Sequence, residues 1–91
     1  MLKISEVGST SASVFLKLEG QLAGPWVAET RKSCAAGWAK NLAVQLNMAE
    51  VTFADQHGVA ALADLRRRGV KLVECSDFLA AQLKAAARPG A

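Results

Sequence analysis

The chain lacks tyrosine altogether, and it has one histidine, two cysteines and two prolines. Each scarcity removes a class of function. Cys34 and Cys75 are too few and too far apart for a zinc site or a CxxC redox motif. A disulfide framework is not expected of an intracellular chain. Both cysteines are therefore read as small apolar packing residues, with Cys34 the one expected nearer the surface. No apolar run approaches the roughly 20 residues that cross a bilayer, and Glu6 stands where a signal peptide would carry its apolar stretch. Neither GxxxxGK[ST] nor GxGxxG occurs, so no phosphate-cradling loop is implied.

Charge is also modest. The formal net charge is +3, with three cations gathered in Arg66-Arg67-Arg68. A nucleic-acid surface wants more cations on one face with aromatics among them, and both tryptophans lie far from the arginine run. At the end of a helix those arginines complement the dipole. With 52% apolar and 21% charged residues over 91 positions, the chain is expected to form one folded domain over residues 1–88. Residues 89–91 read as a frayed tail. The expected location is cytoplasmic, without membrane insertion or nucleic-acid binding.

What is present is periodicity. Residues 2–7 read as a short strand, and Gly8-Ser9-Thr10-Ser11 as a turn. Residues 13–19 alternate, with Val14, Leu16 and Leu18 on one face. Pro25 suits the first turn of a helix, and Trp26, Val27, Thr30, Cys34 and Trp38 make a helical stripe ending near Asn41. Residues 42–48 alternate again, with Val44, Leu46 and Met48 inward and Ala43, Gln45 and Asn47 on a wetter face. Residues 56–68 form a second helix with Val59, Ala60, Leu62, Ala63 and Leu65 on its apolar side, closed by Gly69. A last strand covers 70–74. Ser76 caps a helix reaching about residue 87, with Phe78, Leu79, Gln82 and Leu83 inward. The β-β-α-β-α-β-α pattern predicts an α/β fold: a four-stranded mixed sheet in the order 1-2-3-4, its first strand antiparallel and its helices mainly on one face. The predicted core contains Val14, Leu16, Val44, Leu46, Leu62 and Leu72.

The stretch Val51-Thr52-Phe53-Ala54-Asp55-Gln56-His57-Gly58-Val59-Ala60-Ala61-Leu62 places a turn between strand and helix, where function often resides. Asp55 is a good N-cap. Gly58 forgoes a capping box, at a cost that close approach of another backbone would justify. His57 and Asp55 are two apart in a first turn and poorly placed to pair through their side chains. No serine or cysteine can be placed beside His57, and the carboxylates Glu50, Asp55, Asp64, Glu74 and Asp77 show no metal-ligand spacing. No enzyme activity, catalytic residue, cofactor or metal is expected.

Four runs together suggest a family. Leu18-Glu19-Gly20-Gln21-Leu22, Val44-Gln45-Leu46, the stretch 51–62 and Leu65-Arg66-Arg67-Arg68-Gly69-Val70 resemble a STAS domain over nearly the whole chain. The motifs that carry this resemblance, strand, short loop, Asp-x-x-Gly and helix, are moderately specific. The family includes bacterial anti-sigma factor antagonists. The resemblance implies a non-catalytic protein–protein interaction module that binds an anti-sigma factor with serine kinase activity through the loop and helix after the third strand. In the family a Ser or Thr directly after the Asp is phosphorylated to release the partner. Asp55 and Gly58 match the motif, whereas the acceptor position is Gln56, which has no hydroxyl. The expected contact residues are Asp55, Gln56, His57, Gly58 and Val59, without the usual switch. Two alternatives stay open: a STAS subunit docking on an ABC-type lipid-transport ATPase, and a small-ligand or nucleotide binder.

Overall fold

The alternating runs become four strands of one sheet, and the helical stripes cover it. The computed structural model describes residues 1–86. Along the chain these are β1 (Leu2–Ser9), β2 (Ser13–Leu22), α1 (Pro25–Ala39), β3 (Ala43–Ala54), α2 (Gln56–Arg67), β4 (Lys71–Val73) and α3 (Asp77–Ala86). The strands lie in the order β1-β2-β3-β4, with β1 antiparallel to β2 and the other neighbours parallel. This is the mixed sheet expected from the alternation. The expected tail at 89–91, and the last helical residue at 87, lie outside the described residues.

Burial follows period two where the strands are regular. Val14, Leu16 and Leu18 on β2, and Val44, Leu46 and Met48 on β3, are buried beneath the helices. The intervening Phe15, Lys17, Gln45 and Asn47 are only partly covered. The helix stops are local and legible. Gly69, at φ 100°, ends α2: its N–H donates to the Arg66 carbonyl at 3.1 Å, and the Val70 N–H donates to that of Leu65 at 3.0 Å. Asn41, at φ 60°, ends α1 in the same way, with its own N–H donating to the Trp38 carbonyl and that of Leu42 to the Gly37 carbonyl. Gly37 also lets α1 lie close on the sheet, since a β-carbon there would stand 2.8 Å from Val44 Cγ2.

Several expectations change. β2 continues past Gly20 to the fully buried Leu22, and β3 continues past Met48 to Ala54. The ladder shifts register between Lys17 and Glu19 and between Gly20 and Gln21, each time taking one extra residue on β3, so period two no longer marks β3 beyond Asn47. Cys34 is fully buried while Cys75 is partly exposed, the reverse of the expectation. Burial pushes the Cys34 thiol up to about 11, against a smaller opposing pull from Arg31, so it stays protonated. Leu72 is only half-buried because β4 is a short edge strand. Ala60 is exposed, and Phe78 is 73% exposed instead of inward, because Leu79 and Leu83 make the buried side of α3.

Leu46 is 1% exposed at the centre of the inner face. Replacing it with Ala is expected to cost about 2–5 kcal/mol, against a total of about 5–15 kcal/mol for a domain of this size. Urea unfolding should therefore show a clearly lowered midpoint with an unchanged slope.

Candidate functional site

β2 and β3 end side by side, with Leu22 paired to Ala54. Each then hands the chain to a helix. Asp55 is extended, at φ −78° and ψ −179°, and caps α2. Its Oδ1 accepts the Gly58 N–H at 2.7 Å. Its Oδ2 accepts the Gly24 N–H, from the residue that caps α1, at 3.2 Å. One carboxylate thus ties together the starts of two helices. The Asp55 N–H donates to the Leu22 carbonyl at 3.2 Å, which closes the junction through the backbone.

Gly58 is required by this geometry. A β-carbon there would collide with the Leu22 carbonyl oxygen. The close backbone approach that could explain a glycine in the first turn is therefore present, and it comes from the end of β2.

The five candidate contact residues separate by exposure. Gln56 and His57 are exposed, and Asp55 is half-buried. Gly58 and Val59 are buried, Val59 at 7% exposure within the core. The exposed neighbour one residue beyond Val59 is Ala60. Gln56, Val59 and Ala60 line one wall of a groove of about 510 Å³, with Gln82, Ala85 and Ala86 on the other. The residues of α3 in this groove were not singled out by sequence, because only tertiary packing sets α3 beside α2.

Both Asp55 oxygens accept backbone N–H groups. The Gly58 N–H, then the Gly24 N–H, and more weakly the charge of His57, hold its carboxyl below the usual 3.8. Among the described residues no three His, Cys, Asp or Glu side chains gather as a metal site. Two hydroxyls near the corner are already engaged. Thr52 Oγ1 donates to the Gly20 carbonyl at 3.2 Å, and Ser76 Oγ accepts the Leu79 N–H at 3.1 Å as the cap of α3. Two of the three arginines in the run reach Asp64 while staying exposed: Asp64 meets Arg31 at 2.8 Å, Arg68 at 3.2 Å and Arg67 at 3.4 Å. The Arg31 contact joins α1 to α2 and is the main reason the Asp64 carboxyl is lowered.

No family model and no curated protein matches the chain. The fold is that of SpoIIAA. An anti-sigma factor antagonist, SpoIIAA in its unphosphorylated form, matches with a TM-score of 0.72 at 18% identity, over 90% of this chain and 82% of that one. A second match is an uncharacterized protein of the DUF3478 family from Shewanella loihica PV-4, described as having a SpoIIAA-like fold. Its TM-score is 0.58 at 12% identity, over 93% of this chain and 75% of that one. At these identities the likeness establishes the SpoIIAA-like, STAS-type fold, and the site must be argued from its own residues.

The lowered Asp55 carboxyl gives a pH signature. The unfolded chain binds its proton more tightly than the folded one, so stability rises with pH through this range. The contribution is complete above 3.8 and is lost as pH falls through the lower folded value. Asp64 shifts in the same direction. Asp55→Asn keeps a cap but does not titrate. Urea unfolding between pH 2.5 and 6, roughly the window in which such carboxylates titrate, should show a shallower acid loss in this variant than in the parent.

Proposed function

We propose that the protein is a non-catalytic docking module resembling an anti-sigma factor antagonist. Its partner contacts would centre on Gln56 and His57 and continue along the exposed side of α2. The observation that carries this reading is the double-helix junction: Asp55 is fully used in holding the corner, while the two residues beside it project from a fixed first turn. A partner with serine kinase activity toward such antagonists fits this reading, and a transporter ATPase is the runner-up. Asp55, Gly58 and Val59 act by supporting the surface, which moves the contact set outward from the five residues expected at first. The groove between α2 and α3 gives the small-ligand reading a location, but among the described residues it supplies no charged side chain to hold a phosphate.

We further propose that this module is not switched by Ser/Thr phosphorylation at the position after Asp55. Gln56 offers no hydroxyl, so nearly two negative charges cannot be added there. The hydroxyls of Thr52 and Ser76 hold backbone groups instead.

Gln56→Asp places a charge at the centre of the proposed surface without touching the core. Calorimetric titration against a cognate anti-sigma factor should show about ten-fold weaker binding with an unchanged melting temperature. Unchanged affinity would remove Gln56 from the interface. Incubation with that kinase and ATP should leave the intact mass unaltered, and a phosphate localised to Thr52 or Ser76 would place regulation on another residue.

A further inference from the structure

β3 is 12 residues long, but β4 pairs with it only at Gln45, Leu46 and Asn47. Beyond Asn47 the strand keeps β2 on one side, through Glu50, Val51, Phe53 and Ala54, and among the described residues no strand on the other. The chain after β4 does not replace it. Glu74 takes φ 59°, which ends the strand. Among the described residues, no backbone–backbone hydrogen bond joins residues 74–77 to β3. The Ala49 N–H is occupied by Asn47 Oδ1 at 2.9 Å, so the open edge begins at Glu50. Unpaired backbone of this kind is a template for a further strand.

We infer that residues 50–53 of β3 are an acceptor edge for an extended, basic segment of another protein, which adds there as a strand. The side chains at this edge define the chemistry of the occupant. Phe53 and Phe78 are 53% and 73% exposed, and with Val51, Thr52, Ser76 and Leu79 they line a cavity of about 50 Å³. That space accepts a small apolar side chain from the incoming segment. Glu50 lies on the open stretch, Glu74 follows the last residue of β4, and Asp77 opens α3. None of the three has a cation within 4 Å among the described residues. The nearby lysines Lys3 and Lys17 are taken up by Glu19. Among the described residues Arg66 is the cation whose charge reaches Cys75, against the three carboxylates Glu50, Glu74 and Asp77.

The same charges argue against a second copy of this chain as the occupant. A two-fold antiparallel pairing of residues 50–53 would set Glu50 opposite Phe53 of the second copy and would bring no cation to Glu50, Glu74 or Asp77 of either copy. A segment alternating small apolar and basic residues meets both requirements: one face enters the cavity and the other answers Glu50 and Asp77. This inference uses the sheet edge alone and does not depend on the docking role proposed for Gln56 and His57.

The test is titration of the isotope-labelled full chain with a decapeptide alternating Lys and Val. Amide shifts are expected at residues 50–53 and at Phe78, with slowed exchange at alternate amides of that stretch. Methylating alternate backbone nitrogens of the peptide should abolish binding, because it removes the donors a ladder needs. The double variant Glu50→Lys with Asp77→Lys should bind about ten-fold more weakly, while Gln56→Asp should bind as the parent does. If the double variant fails to fold, Phe78→Ala, at an exposed ring, should still weaken binding several-fold by emptying one side of the cavity. Shifts confined to the groove between α2 and α3, absence of shifts at millimolar peptide, equal binding of the methylated peptide or of a Glu-Val counterpart, or sedimentation as a dimer through this edge would each overturn the inference.

Discussion

The molecule turns on one carboxylate. Asp55 accepts an N–H at the start of α2 and another from the residue that caps α1, so the ends of two neighbouring parallel strands leave the sheet in register. The Leu22 carbonyl completes the junction by accepting the Asp55 N–H. It also passes so close to α2 that only glycine fits at position 58. Capping, strand pairing and helix placement are therefore a single constraint. A side chain at Gly58 would have to lift α2 from the end of β2.

That constraint gives the corner its character. The orphan donors of a helix start usually attract an anionic ligand, but here the protein supplies the anion itself. The first turn therefore offers polar side chains, Gln56 and His57, on a fixed backbone. This suits recognition by another protein better than capture of a phosphate. The hydroxyls that might have brought chemistry nearby are tied into the fold, Thr52 to the end of β2 and Ser76 to the start of α3.

The opposite property, incompleteness, belongs to the far edge of the sheet. β4 supplies only three residues of pairing to a strand four times its length. The aromatic side chains at that edge, Phe53 and Phe78, remain more than half exposed. The fold so presents two separate surfaces: a corner organised by internal hydrogen bonds, and a strand edge whose backbone bonds remain to be made. The two adjoin along the chain, since residues 50–53 of β3 lead directly to Asp55 and Gln56, and the apolar cluster that includes Leu2 and Leu83 forms the core of the same domain.

Sequence alone determined the element order, the mixed sheet, the helix stops at Asn41 and Gly69, and Asp55 as a cap, because each depends on contacts within a few residues or on a regular period. It also pointed to the reason for Gly58 without identifying the backbone that approaches it. Tertiary structure decided the rest. Two bulges in β3 erased the alternation over residues 48–53, so the length of β3 and its open edge could not be read from period two. The packing of α3 against α2 sent Phe78 outward, and the depth of α1 on the sheet buried Cys34. Val59 shows the same limit: its place in the first turn is local, but whether it faces a partner or the core depends on what α2 is laid against, and that is fixed by residues distant in sequence.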